Sequence, residues 1–181
     1  ILGISHAREV YFDPAEKNGI DIITILGNHD VYYRNTNEIN ALDLIDKAYS
    51  NVKVIHDTEV LNFDGFKLGL VSWINKENYE QRLEFMKTCD VDVLAGHFEI
   101  SGFEMTKGNF CDGGMSQDLF KRFQEVWSGH FHIASKQGCI RYLGNPSQTN
   151  KGDVGYDRGF YIFDTETREL TFHLNPFNVY D

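Results

Sequence analysis

Apolar residues fall along this chain in short bursts, most of them closed by a glycine or by an Asn/Asp-rich turn. Residues 20–26, Ile-Asp-Ile-Ile-Thr-Ile-Leu, form a β-branched run ended by Gly27, and such a run reads as a buried strand. Over residues 38–48, Ile39, Leu42, Leu44, Ile45 and Ala48 recur at about helical spacing behind an Asn/Thr-rich start, which predicts a capped helix. Residues 52–55 predict a short strand. Residues 60–63 and 66–73, joined by Asp64-Gly65, predict a hairpin. A second amphipathic helix is expected over 78–87, a buried strand over 90–95 before Gly96, a short helix over 116–123, and a strand over 125–127 before Ser128-Gly129. Residues 138–142, 159–163 and 170–173 read as three more strands, the last two joined by a turn at Thr165-Glu166-Thr167. The β-α-β order early and hairpins late predict an α/β sandwich of mixed strand content, not a purely doubly wound sheet.

Composition narrows the classes. The 181 residues are 41% hydrophobic and 24% charged, which fits one domain with a core of its own. A disordered tail, a collagen-like fibre and a coiled coil are excluded. The longest apolar runs, such as 68–73, are too short to predict a membrane-crossing helix. Seventeen Lys and Arg stand against 27 Asp and Glu, a net charge of −10. That balance disfavours a general DNA-coating module but leaves open a metal enzyme acting on phosphates, because bound cations invert the local field. Cys89, Cys111 and Cys139 are odd in number and widely spaced, so they read as idle thiols of a reducing cytoplasm. The chain opens Ile1-Leu2-Gly3, with no Met, basic region or apolar leader. It reads as a sequence that starts within a longer protein and carries no signal peptide.

Three predicted strands run into a polar, histidine-bearing turn. These turns are Gly27-Asn28-His29-Asp30, Gly96-His97-Phe98-Glu99 and Gly129-His130-Phe131-His132. In each, glycine lets the backbone turn sharply and aims the next polar side chain off the carboxyl end of the strand, the edge where open α/β sheets bind ligands. Four of the seven histidines lie there. Imidazole, amide oxygen and carboxylate together suit Mn²⁺, Fe²⁺ or Zn²⁺. In an extended segment His130 and His132 point the same way, so two imidazoles reach two adjacent metals.

Taken together, GNHD, then GH, then GHxH resembles the second half of the signature of the calcineurin-like metallophosphoesterases. Three further stretches resemble the branch of that family holding the phage T4-type recombination endonuclease subunits and, similar to them, the nuclease subunit of bacterial SbcCD. They are residues 27–37 (Gly-Asn-His-Asp-Val-Tyr-Tyr-Arg-Asn-Thr-Asn), residues 125–132, and Arg158-Gly159-Phe160 followed by Phe163-Asp164-Thr165-Glu166-Thr167. Tyr142-Leu143-Gly144-Asn145-Pro146 resembles a Gly-Ser/Thr-Pro turn of the same branch, and the likeness spans about residues 20–171. The resemblance implies a two-sheet α-β-β-α sandwich with two divalent metals at the strand ends, Mn²⁺ first among them. It implies that Asn28, His97 and His130 ligate one metal and His132 the other. His29 becomes the general acid at the scissile phosphate and Asp30 its orienting partner. It also implies a DNA substrate, an SMC-like ATPase partner and, for a phage product, the host cytoplasm.

The first half of the signature, DxH then GDxxD, has no counterpart here. His6 lies in Ile4-Ser5-His6, without the Asp that DxH requires, and His6, His56 and His173 read as structural. The chain therefore reads as the carboxyl-terminal majority of a catalytic domain over 1–181. On its own it is expected to be nearly inactive, with an open sheet edge that pairs with a second copy. Tyr32 and Tyr33 read either as a nucleotide-contacting pair or as core. Two rivals stay open: a nucleotide or phosphoprotein phosphatase of the same superfamily, and a non-catalytic scaffold on the same fold.

Overall fold

A computed structural model, describing residues 2–180, is α/β. The amino-terminal segment is continuously helical: α1 (Leu2–Ala7), a π-helical turn (Arg8–Phe12) and α2 (Asp13–Lys17), with Pro14 in the first turn of α2, where its missing N–H leaves no partner wanting. Next come β1 (Ile22–Ile25), α3 (Asp43–Asp46), β2 (Val52–Ile55), β3 (Thr58–Phe63), β4 (Phe66–Val71), α4 (Tyr79–Thr88), β5 (Val93–Gly96), and the small ribbon β6 (Glu104–Thr106) with β7 (Asn109–Phe110). A 3₁₀ turn (Gln117–Phe120) precedes β8 (Glu125–Ser128), β9 (Ser135–Gln137) and β10 (Ile140–Tyr142). A second 3₁₀ turn (Lys151–Asp153) precedes β11 (Gly159–Phe163) and β12 (Leu170–Leu174). No helix among the described residues is long and apolar enough to cross a membrane.

One mixed six-stranded sheet, ordered β3-β4-β5-β8-β10-β9, dominates. Strands β4, β5, β8 and β10 run parallel, with antiparallel β3 and β9 at the edges. Register puts Val71, Leu94, Val126, Ile140 and Tyr142 on one face. That face is the main core, completed by Met86 from α4 and by Phe98, Ile100, Phe103 and Phe120. The opposite face carries Phe66, Val93 and Trp127. There the β11–β12 hairpin seats Phe163 against Phe66 and Trp127, at ring-centroid distances of 4.9 and 5.0 Å. The β3–β4 hairpin turns on Asp64 and Gly65, with φ of +50° and +96°, both left-handed as a two-residue hairpin loop demands.

Two expectations need correction. The helix expected over 38–48 is a single turn, α3. Asn37 donates from Nδ2 to the His56 and Trp73 carbonyls, and Asn40 Oδ1 accepts from Asp43 N–H at 3.0 Å. These side-chain bonds hold residues 36–40 in turns and start the helix only at Asp43. Ile39 and Leu44 are exposed, and Ile45 alone of the predicted apolar face is fully buried. Second, the run 20–26 is not a buried strand throughout. Among the described residues β1 pairs with β2 alone, which leaves one edge open and Ile23 38% exposed.

Candidate metal centre

The three histidine turns meet at one place because their strands end together. Strands β5 and β8 are parallel neighbours, and Gly129 N–H donates to the Gly96 carbonyl at 3.0 Å. Strand β1 reaches the same edge through the buried Ser72. Its hydroxyl accepts from Leu26 N–H at 3.0 Å and donates to the Ile55 carbonyl, while Trp73 N–H donates to the Leu26 carbonyl at 2.8 Å. Between the histidines stand buried anchors. Phe98 packs on Phe120, and Phe131 stacks on Tyr142 at 4.6 Å. The Tyr142 hydroxyl donates to the Phe98 carbonyl at 2.8 Å and accepts from Ile100 N–H at 3.1 Å. Each Gly-His-Phe step thus sinks its phenylalanine and leaves its histidine at the edge.

The glycines have a steric reason. A Cβ at Gly27 meets His97 Cε1 at 2.9 Å, and a Cβ at Gly96 meets the Phe98 ring at 2.2 Å. The His97 ring lies directly over the Gly27 turn, so neither position tolerates a side chain.

Three donors converge. His97 Nε2 lies 2.9 Å from Asn28 Oδ1 and 3.2 Å from His130 Nδ1. One N–H on His97 cannot satisfy both contacts, whereas an amide oxygen and two imidazole nitrogens, each with a lone pair, suit a cation. Cis ligands of an octahedral ion bound at ~2.1 Å stand ~3.0 Å apart, which matches this spacing. Burial pushes His97 down to about 4, with the His130 and His29 charges adding to it. His130 is lowered in the same way by burial, with Glu99 opposing. Both rings are neutral at pH 7 and keep a lone pair for a ligand. Among the described residues no group of three or more His, Cys, Asp or Glu side chains gathers in a metal-holding arrangement; the Asn28 oxygen is what completes this trio.

His132 does not join the trio. β8 ends at Ser128, and His130 adopts φ +81° in the left-handed region, so the His130-x-His132 segment is not extended and its rings take different partners. His132 Nδ1 lies 3.4 Å from Thr149 Oγ1 and 3.7 Å from Asp153 Oδ1. Asp153 in turn accepts from Thr149 N–H at 2.7 Å and pairs with buried Arg158 at 3.0 Å, and Arg158 Nη1 donates to the His132 carbonyl. Burial pushes the Asp153 carboxyl up, but the hydrogen bonds from Thr149 and the Arg158 charge outweigh it and hold it below the usual range.

His29 is exposed, beside the trio, with no side-chain hydrogen bond among the described residues. Asp30 Oδ2 accepts from Gly27 N–H at 2.7 Å, so it closes its own turn. Tyr32 and Tyr33 are 76% and 50% exposed and touch edge to face, which places them outside the core. His6 is exposed, His56 pairs with Asp43 at 2.6 Å and His173 stacks on Phe160. The three cysteines are free thiols. Sequence reasoning missed two carboxylates. Glu99, 3.7 Å from His130 Nε2, was signalled by its place in the Gly96–Glu99 turn, whereas Asp153 had no local signal.

No family model matches the chain. Over 169 residues it is 39% identical to Exonuclease subunit 1 of Enterobacteria phage T4, a stretch that takes in 93% of this chain and 49% of that protein. The chain thus spans about half the length of the curated relative to which it is similar.

Proposed function

We propose that this chain carries most of the catalytic domain of a phage nuclease subunit that hydrolyses DNA phosphodiesters with divalent cations. The observation that carries the reading is the meeting of Asn28 Oδ1, His97 Nε2 and His130 Nδ1 within 2.9–3.2 Å contacts at three strand ends. The name of the relative and the order GNHD, GH, GHxH support it. In this reading the β1–β2 and β11–β12 pairs belong to the second layer of a metallophosphoesterase sandwich. The parent uses two cations, Mn²⁺ first among them, and works with an SMC-like ATPase in phage DNA recombination or repair in the host cytoplasm.

Asn28, His97 and His130 would hold one cation, and His132 the other. When bound, such ions supply Lewis acidity to the phosphoryl oxygens and favour ionisation of the attacking water. The chain's own groups do the rest. The water oxygen bonds to phosphorus and yields one proton to solvent as the ester bond to the leaving oxygen breaks, and His29 gives its proton to that oxygen. Asp153 and Arg158 fix the His132 ring and carbonyl, and Asp30 fixes the turn that presents His29.

The test is cleavage of linear single- and double-stranded DNA in Mn²⁺ by the complete subunit with its ATPase partner, beside a nucleoside monophosphate. DNA is cut, His29→Ala slows cutting by ~10²-fold or more with metal uptake unchanged, and this chain alone turns over poorly. Uncut DNA with a dephosphorylated mononucleotide would replace this reading with a phosphatase. If neither substrate reacts, the non-catalytic scaffold is the better account.

A further inference from the structure

Beside His97, with His132 outside its lining, opens a cavity of about 310 Å³ lined by Trp73, Ile74, Tyr79, His97, Glu99 and Met115. We infer that it seats the base of the nucleotide whose phosphate lies at the histidines, and that it prefers bases carrying an exocyclic amine; the inference rests on the phosphodiesterase reading above. Its volume falls at the small end of ligand sites, the scale of a single nucleoside.

Trp73 is a fixed wall. Its backbone is pinned on both sides: the main-chain N–H donates to the Leu26 carbonyl at 2.8 Å, and the main-chain carbonyl accepts from Asn37 and Asn78 at 3.0 and 3.1 Å. Its ring stands 5.6 Å from His130 and 5.9 Å from His97, so the wall adjoins the donors directly. Tyr79, at the start of α4, is 40% exposed and supplies a second aromatic surface. Bases stack on such surfaces whatever their sequence, and Ile74 and Met115 line the remainder with apolar atoms.

Glu99 gives the cavity its selectivity. Its carboxylate is acceptor-only when ionised. It faces no cationic Lys or Arg among the described residues; its neighbours are His130 Nε2 at 3.7 Å and Cys111 Sγ at 3.9 Å. A free carboxylate repels a phosphate but accepts from the exocyclic amine of cytosine or adenine. Thymine brings carbonyl oxygens to the same edge and is disfavoured. The base therefore lies beside Trp73 and Glu99, and the phosphate is left to the histidines, where a bound cation would offset the Glu99 charge.

The chain has two tryptophans, so Trp127→Phe leaves Trp73 as the sole reporter. This variant is titrated in Mg²⁺, which does not quench, with dCMP, dTMP and inorganic phosphate, and its Mn²⁺ uptake is measured in parallel. The inference expects saturable quenching by dCMP, at least fivefold weaker binding of dTMP, and no quenching by phosphate. Tyr79→Ala weakens both nucleotides, and Glu99→Gln brings their affinities to within twofold. If Trp127→Phe does not fold, a 2-aminopurine deoxynucleotide on the unsubstituted chain reads the same stacking through its own emission, and Trp73→Leu abolishes it. Mn²⁺ uptake without saturable quenching overturns the base cavity and leaves the phosphodiesterase reading standing. Quenching by phosphate equal to that by dCMP overturns it too, since the anion alone would then account for the signal. Saturable quenching with the dCMP preference but no Mn²⁺ uptake supports the cavity while the metal reading fails.

Discussion

His130 combines two demands that ordinarily conflict. It offers Nδ1 to the donor trio, and it does so from φ +81°, a conformation that costs a non-glycine residue ~1–3 kcal/mol. Strain of this kind persists where the surroundings dictate it, here the buried Phe131 anchor on one side and the Gly129–Gly96 hydrogen bond on the other. The usual order of substitutions should therefore invert. His130→Gly is expected to be more stable than His130→Ala by about 1 kcal/mol, read by urea denaturation, while both lose the metal. Equal stability of the two would show that the backbone is not held there. His97 gives the second residue-scale prediction. Its folded value of about 4 lies below the ordinary 6.5, so between those limits the unfolded chain holds a proton that the folded chain refuses. Stability of the metal-free chain should be flat above about pH 6.5 and fall by about 3 kcal/mol as pH drops through that window, with His130 adding in the same direction. Denaturation midpoints at pH 7, 5 and 4 check it, and His97→Asn should flatten the slope; an unchanged slope in that variant would place the proton elsewhere.

At the scale of elements, the strands that deliver the histidines were legible because β-branched runs stop at glycine. β5 and β8 end at or beside the glycines that the pattern singled out. The Asp64-Gly65 turn was equally plain, since only residues tolerant of left-handed φ serve there. The helix expected over 38–48 failed for a local reason: Asn37 and Asn40 spend their side chains on carbonyls and amides up to 36 residues distant, and no periodicity reports such bonds. The extended backbone expected from His130 to His132 was lost in the same way, because one left-handed residue ended the geometry on which the i, i+2 rule depends. Asp153 is invisible for a different reason. It meets its partners only when Arg158 and the His132 ring are folded against it. Strand β1 carries a prediction of its own. Its open edge, with Ile20 and Ile23 exposed, is a template for strand pairing. Light scattering should show mass rising with concentration, and Ile23→Lys should return the chain to a monomer. A monomer at every concentration in the unsubstituted chain would contradict this.

At the scale of the whole molecule, the fold separates two jobs along the parallel strands. The main core, from Val71 to Tyr142, lies on one face of the six-stranded sheet, and the chemistry-bearing turns lie at the carboxyl ends of β1, β5 and β8. An excess of ten negative charges gives no broad basic surface for nucleic acid, so in the proposed reading attraction for a phosphate would have to be local, and a cation at the histidine trio would supply it. That makes metal binding the hinge of the account. The most direct measurement is Mn²⁺ stoichiometry by electron paramagnetic resonance titration and elemental analysis of the desalted chain, with His130→Ala beside it. One equivalent per chain is expected, lost in His130→Ala, because Asn28, His97 and His130 form one donor set while His132 stands apart with Thr149 and Asp153. No uptake, or uptake that survives His130→Ala, would contradict it.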